Sequence, residues 1–394
     1  MIAHLALLAM LQQTSPPTTP DKSYLFFVAS EGSDEVALMR FDATGLRVEH
    51  RTLFKIVPGQ LESPPDVFTE RFAGLDTTTV AVGRSYSLSS AHGFSVDALM
   101  SGPRHLTIGR DGRSYYVTTA RGFAGGELLA VRIAADSAPT SQPPDTILGR
   151  ESLAGVPGAA QITLDGGYAW VVTSTPASES RASWLAVVYL PSMVEAGRIP
   201  ICSGAPSSRF SADGRVHYSL CDGDDGLIEI DARAIRVSRH LALSGVASRR
   251  CAPSGLAVLT DGSRIFVACQ QSNEILEIDA RSWVVTRRVA IARSPGELAV
   301  TGDGKTLVVI NATSQAISVV DLAAGGKTVA LALSHHAPAA VAIGPDDRYA
   351  FVTFAGAGTE PGTVEVIDLS RRVVVASLDF GRRLAGIAFW KSTP

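Results

Sequence analysis

The feature that most constrains this chain is a unit repeated through its C-terminal half, between Pro206 and Phe380. Each copy starts with a Pro-led apolar run, reaches an Asp-Gly-type turn, passes through a short apolar quartet and a polar hairpin, and enters a further strand. The further strands read Leu227-Ile-Glu-Ile-Asp-Ala-Arg233, Ile275-Leu-Glu-Ile-Asp-Ala-Arg281, Ile317-Ser-Val-Val-Asp-Leu-Ala323 and Val364-Glu-Val-Ile-Asp-Leu-Ser370. The turns fall at Asp111-Gly112, Asp165-Gly166, Asp213-Gly214, Asp261-Gly262, Asp303-Gly304 and Asp346-Asp347. Successive turn aspartates are 54, 48, 48, 42 and 43 residues apart, the length of a four-stranded propeller blade. Asp-Gly suits a tight turn between strands because Gly adopts positive φ without steric cost.

An apolar quartet follows each turn: Tyr116-Val-Thr-Thr119, Trp170-Val-Val-Thr173, Tyr218-Ser-Leu-Cys221, Phe266-Val-Ala-Cys269, Val308-Val-Ile-Asn311 and Phe351-Val-Thr-Phe354. A seventh, Phe27-Val-Ala-Ser30, lies near the N-terminus with no innermost strand before it. The missing strand stands at the other end, where Leu384-Ala-Gly-Ile-Ala-Phe-Trp390 has the pattern of an innermost strand and the chain then stops. Pairing these two segments completes seven blades and closes the ring, which removes the sheet edges an open array would leave. The expectation is therefore an all-β, seven-bladed propeller of four-stranded antiparallel blades spanning 21–394. An irregular insertion without repeat register runs from 57 to 103, following strands expected at Glu35–Phe41 and Val48–Ile56.

The quartets, the SPDG-like turns (Ser211-Ala-Asp-Gly214 and Gly344-Pro-Asp-Asp347) and the Val-Ile-Asp-Leu runs resemble the YVTN family of bacterial β-propeller repeats. The resemblance covers about 105–390 clearly and 23–56 loosely. It implies the propeller fold and a range of roles, among them surface-layer proteins, exported binding proteins, lactonase-type hydrolases and propeller subunits of quinone-dependent amine dehydrogenases. Many YVTN blades open with Pro-His-Gly at the channel mouth. Here the matching positions read Pro206-Ser-Ser, Pro253-Ser-Gly, Pro295-Gly-Glu and Pro338-Ala-Ala, so a histidine-lined channel is not expected.

Composition narrows the partners. The 394 residues are 46% hydrophobic and 19% charged, with a net charge of −3, which leaves no basic footprint for nucleic acid or an anionic membrane. Arg pairs such as those at 249–250 and 371–372 stand among acidic residues and read as solvated strand ends. The run from Met1 to Leu11 is too short to span a bilayer and fits the core of a signal peptide, and the Ser/Thr/Pro tract from Thr14 to Pro20 reads as a linker. A signal segment and linker over 1–20, export to the periplasm or medium, no transmembrane span, no cofactor and a monomeric state are the expectations. The rival reading of residues 1–20 is a plain unstructured terminus.

In a four-stranded blade, the connection entering the innermost strand and the one after the second strand share a face of the disc. On that rule Arg104, His105, Arg209, Glu297, His335, His336 and Arg383 precede innermost strands and ring the channel mouth, a concave setting suited to a small ligand. The rival is that several face solvent or cap strand ends. The four cysteines fall on the same face: Cys221 and Cys269 close quartets, while Cys202 and Cys251 sit in entry loops. An even count in an exported chain favours disulfides, with Cys202–Cys221 and Cys251–Cys269 as equivalent staples and Cys221–Cys251 as the main rival pairing. Without Cys-x-x-Cys or Cys-x-x-Cys-His, zinc knuckles and attached haem lack support. The acidic stretch Cys221-Asp-Gly-Asp-Asp-Gly226 is expected to be a hairpin rather than a calcium loop, because it lacks the downstream Glu of an EF-hand.

No nucleophile elbow, phosphate loop or His-Glu-x-x-His motif is present. The first expectation for function is thus an exported binding or scaffold module for a small molecule or protein. Two alternatives stand beside it: a lactonase-type hydrolase working through the channel-mouth Arg, His and Glu residues, and a redox or metal-handling protein using the cysteine face.

Overall fold

The computed structural model describes residues 20–54, 80–81, 85–86, 102–121, 125–134, 145–175, 182–244, 250–313, 316–333, 335–357 and 359–393. The signal-like run and most of the 57–103 insertion lie outside the described residues. Within the insertion the described residues are two short paired strands, Val80–Ala81 and Ser85–Tyr86, and 102–103, where the innermost strand of blade 2 begins.

Seven four-stranded antiparallel sheets form the blades. In chain order the innermost strands of blades 2 to 7 are Pro103–Ile108, Val156–Ile162, Ser208–Phe210, Pro253–Val258, Pro295–Val300 and Pro338–Ile343. Each innermost strand touches those of the next and preceding blades around a closed circle. Blade 1 is assembled from both chain ends: Leu384–Thr393 lies innermost, followed outward by Ser23–Ser30, Glu35–Asp42 and Gly45–Leu53. Val28 pairs with Ile387 and Phe27 with Ala388 across that seam. The seam is reinforced where Tyr24 donates its hydroxyl to Asp346 Oδ2 at 2.6 Å and Trp390 donates Nε1–H to the Gly112 carbonyl at 2.8 Å.

The sequence explains the repeated geometry. Each turn Asp folds its carboxylate back onto its own turn, as when Asp213 Oδ1 accepts from Arg215 N at 3.1 Å and from Ser211 Oγ at 2.7 Å. Second and third strands are largely buried because neighbouring blades cover both faces, although the third strands of blades 2, 4, 5 and 7 each bury a glutamate, Glu127, Glu229, Glu277 and Glu365. The second strand of blade 7, Tyr349–Phe354, is buried at every residue. The outer strands alternate, as in Val284–Ala290. Proline opens most innermost strands, where a missing N–H costs little, and a register shift follows it in blades 2, 3, 5, 6 and 7.

Both disulfides form as expected, Cys202–Cys221 and Cys251–Cys269. Their settings are not equivalent, however. The outer strand of blade 3 runs on to Ser203, so Cys202 belongs to that strand rather than to an entry loop, and its bridge ties blade 3 to blade 4. The second bridge stays within blade 5. The acidic hairpin beside them is structural: Asp225 accepts from the amides of Cys251 and Ala252, and Asp222 pairs with Arg250.

Close approach of inner strands requires glycine at Gly255, where an added Cβ would lie 2.1 Å from the Gly296 carbonyl oxygen of blade 6. Gly255→Ala is expected to cost about 1–3 kcal/mol in urea melts; an unchanged midpoint would show that the ring can widen freely there. Unreduced protein is expected to take up no alkylating reagent, and to accept four equivalents only after reduction, as read by intact mass.

Candidate functional site in the central channel

Register against the quartets sorts the channel into tiers. The residues paired with the first position of each quartet are Ala388, Thr107, Gln161, Arg209, Ala257, Ala299 and Ala342. One arginine therefore stands in a ring otherwise made of four alanines, Thr107 and Gln161. Small residues keep the channel open, and Arg209 is the departure from the repeat. Two residues nearer the entry face, His105 pairs with Thr118 at the level that Gly255 and Ala340 occupy in blades 5 and 7.

Glu297 reaches this region from blade 6, two blades along from Arg209. It falls in the register shift between Pro295 and Leu298 of blade 6, and such bulges re-aim a side chain. Its Oε1 lies 3.7 Å from Arg209 Nη2, and the two side chains are 36% and 30% exposed respectively. Arg209 also donates Nη1–H to the Ser208 carbonyl at 2.8 Å. Glu297 still meets water through the channel, yet protein surrounds it on every side. That desolvation pushes its carboxyl up to about 7 against the pull of Arg209. His105 is driven the other way, down to about 4, by burial and then by the positive charges of Arg104 and Arg209. Near neutral pH the site thus holds a permanent cation, a neutral imidazole and a carboxyl poised to gain or lose its proton.

The remaining expected residues divide. Arg104 belongs to the innermost strand of blade 2, and Arg383 immediately precedes that of blade 1. Both converge on Glu31, each 3.6 Å from one of its oxygens. His335 and His336 stand apart. The former contacts Glu365 at 2.7 Å and approaches Asp379 at 3.9 Å, on the third and outer strands of blade 7, and the latter contacts Glu360 at 3.0 Å. These contacts place them over the body of blade 7, not with the Arg209 group. Arg104, His105, Arg209 and Glu297 lie within innermost strands rather than ahead of them, because each strand begins at or close to its proline.

Four residues escaped the motif reading. Glu31 follows the first quartet directly, and the face rule that selected Arg104 also selects it. Gln161 and Thr107 emerge only when every innermost strand is aligned to its quartet. His217, fully buried between Trp170 and Phe210, has both ring nitrogens without a partner and is held neutral, its basicity lowered to about 3 by burial.

Below the Arg209 tier, a cavity of about 430 Å³ opens toward the turn-bearing face, lined by residues of blades 2 to 5 that include Ile108, Ile162, Leu164, Phe210 and Val258. The sulfurs of Cys202 and Cys221 lie near Asp224, but they are bonded to one another and offer no thiolate to a metal. Among the described residues, no helix is long and apolar enough to cross a membrane.

Comparison with known proteins supports the architecture alone. At the level of sequence, no family model and no curated protein matches the chain. Solved structures match well. A periplasmic gluconolactonase of Pseudomonas aeruginosa, PpgL, superposes with a TM-score of 0.64 at 17% identity, covering 94% of this chain and 100% of that one. A functionally unknown protein from Desulfotomaculum acetoxidans gives 0.64 at 14% identity over 93% and 98%. A Lactobacillus plantarum protein gives 0.64 at 12% identity over 94% and 100%. The chain is thus a seven-bladed β-propeller, similar in fold to a lactonase and to proteins of unknown role.

Glu297 yields a pH signature. Its folded pKa lies above its ordinary value, so its contribution to stability is complete below about 4.5, falls as pH rises toward about 7, and is lost above that. Replacing it with a neutral isostere removes this burden. Glu297→Gln is expected to raise Tm relative to wild type at pH 8 and to make little difference at pH 4.5; a lower Tm at pH 8 would mean that the Arg209 contact outweighs desolvation.

Proposed function

We propose that this chain is an exported propeller that binds a small molecule in its central channel, with Arg209 as the anchor for an anionic or carbonyl oxygen of the ligand. The observation that carries this reading is the placement of one arginine in a tier of small side chains, faced by a carboxyl that protonates near neutrality. A concave site with a few convergent polar groups is the usual form of a ligand pocket. Protonation of Glu297 releases Arg209 from its counter-charge, so an incoming anion takes the place of the carboxylate at little electrostatic cost. Two disulfides support export, since such bonds persist in oxidising compartments.

A second reading, hydrolysis of a lactone, is favoured by the same Glu297–Arg209 pair and by the structural likeness to a periplasmic gluconolactonase. In that chemistry Arg209 would stabilise the oxygen that gains charge when water adds to the lactone carbonyl, and Glu297 would accept a proton from that water. The cysteine-based redox or metal reading loses its ligands to the two bridges.

Thermal-shift and calorimetric titrations with lactones and their hydroxy acids are expected to find a ligand whose affinity falls at least tenfold in Arg209→Ala. Turnover of the lactone that disappears in Glu297→Gln, with binding retained, selects the hydrolase; binding without turnover selects the binding module. Affinity indifferent to Arg209 would remove the channel from consideration.

A further inference from the structure

The residues one step beyond the Arg209 tier, toward the turn-bearing face, are apolar in all seven blades. Pairing with the residue before each quartet selects Phe389, Ile108, Ile162, Phe210, Val258, Val300 and Ile343. Six of the seven are only partly buried, Ile162 being the exception. All seven pack in the cores between blades, and four of them, Ile108, Ile162, Phe210 and Val258, also line the cavity of about 430 Å³ that opens to the turn-bearing face. Leu164 extends the apolar wall to the rim and is 50% exposed. Along its axis the channel passes from Glu297 and His105, through the tier of Arg209, Gln161 and Thr107, into this apolar collar.

We infer that the channel takes an amphiphile, a medium-chain carboxylate or the corresponding alkyl-substituted lactone, with its polar head at the Arg209 tier and its alkyl chain in the collar. The inference rests on the channel reading above and narrows its ligand class. A sugar acid or sugar lactone carries hydroxyls on most of its carbons, and the collar would strip those of water without returning hydrogen bonds. The hydroxyls among its walls are already committed, Ser211 Oγ to Asp213 at 2.7 Å, Thr260 Oγ1 to the Gly302 carbonyl at 3.0 Å and Thr107 Oγ1 to the Ala160 carbonyl at 2.6 Å, and Arg110 at the rim donates Nη2–H to the Ile162 carbonyl at 3.2 Å. An alkyl chain meets no such penalty. From the Arg209 tier to the turn residues the innermost strand advances three residues, on the order of 10 Å, a depth suited to a chain such as that of octanoate. The cavity volume lies within the ordinary range for small-molecule sites.

The test is a chain-length series by isothermal titration calorimetry on the full, unreduced protein, with hexanoate, octanoate, octanol and gluconate as probes. Octanoate is expected to bind roughly tenfold more tightly than hexanoate, because two more methylenes enter the collar. Octanol is expected to bind at least tenfold more weakly than octanoate in wild type, with the difference abolished in Arg209→Gln. Val258→Thr, nearly isosteric, should weaken octanoate and leave gluconate unchanged; should that variant fail to fold, the wild-type chain-length series decides alone. Equal affinities for hexanoate and octanoate, or Arg209-dependent binding of gluconate exceeding that of octanoate, would overturn the amphiphile while leaving the channel reading in place. Absence of Arg209-dependent binding by any probe would overturn both.

Discussion

Everything in this molecule depends on one β-pairing, that of Leu384–Thr393 with Ser23–Ser30. A blade buries its faces only against its neighbours, so an open row of seven would leave two apolar sheet faces and the inner strands of an incomplete ring exposed to water. Joining opposite ends of a chain carries an entropic cost, but that cost grows only logarithmically with loop length. Against it stands the burial of Tyr24, Phe26, Phe27 and Val28, all fully inaccessible, and a cluster of aromatic contacts in which Tyr24 meets Tyr349 at 5.3 Å and Phe26 meets Phe351 at 4.6 Å. Closure also creates the channel. Ala388 and Phe389 complete the two tiers described above, and both come from the C-terminal strand.

A repeat makes its own exceptions visible. Where seven strands hold equivalent positions around an axis, whatever the fold demands appears in most of them, and whatever function demands appears in one or two. Alanine at four positions of the central tier meets the demand for an open channel. Arg209 meets no such demand, and neither does Glu297, whose partial desolvation would be avoided by any apolar residue. Holding opposite charges 3.7 Å apart in a narrow wet channel leaves both partly unsatisfied, the condition of groups arranged for something other than each other.

The architecture was legible in the sequence nearly in full, because turn aspartates, quartets and strand-length spacing all express the same backbone period. The chain-end seam was legible too, from one quartet lacking its innermost strand and one innermost strand lacking its quartet. Cysteine pairing followed from face and spacing, although strand length did not, and Cys202 proved to end a strand rather than to lie in a loop. The site was only partly legible. Sequence order predicts the face on which a residue falls but not its distance from the axis, so His335 and His336 shared a face with Arg383 yet turned toward Glu365 and Glu360 in blade 7. The bulge that re-aims Glu297 is invisible without the partner strand.

The placement of the disulfides is in keeping with the site proposed at Arg209. Arg209 sits on the shortest innermost strand of the seven, Ser208–Phe210, which makes three pairings with its neighbour. A strand so short fixes its side chain poorly unless its entry is held from elsewhere. Cys202–Cys221 provides that hold just upstream, and it acts with hydrogen bonds from Asp222 N to the Gly204 carbonyl, Gly223 N to the Ser203 carbonyl and Leu220 N to the Ser207 carbonyl. The second bridge stiffens blade 5 next door, whose Cys251 and Ala252 amides are in turn held by Asp225 of blade 4. Among the described residues, the covalent reinforcement is thus concentrated on the two blades flanking the entry to Arg209. The six-residue inner strands Pro295–Val300 and Pro338–Ile343 carry no bridge, and Pro253–Val258, beside Arg209 in blade 5, does. Stability of the whole ring would be served by a staple in any blade; the precision of one cation in the channel is served best by staples here.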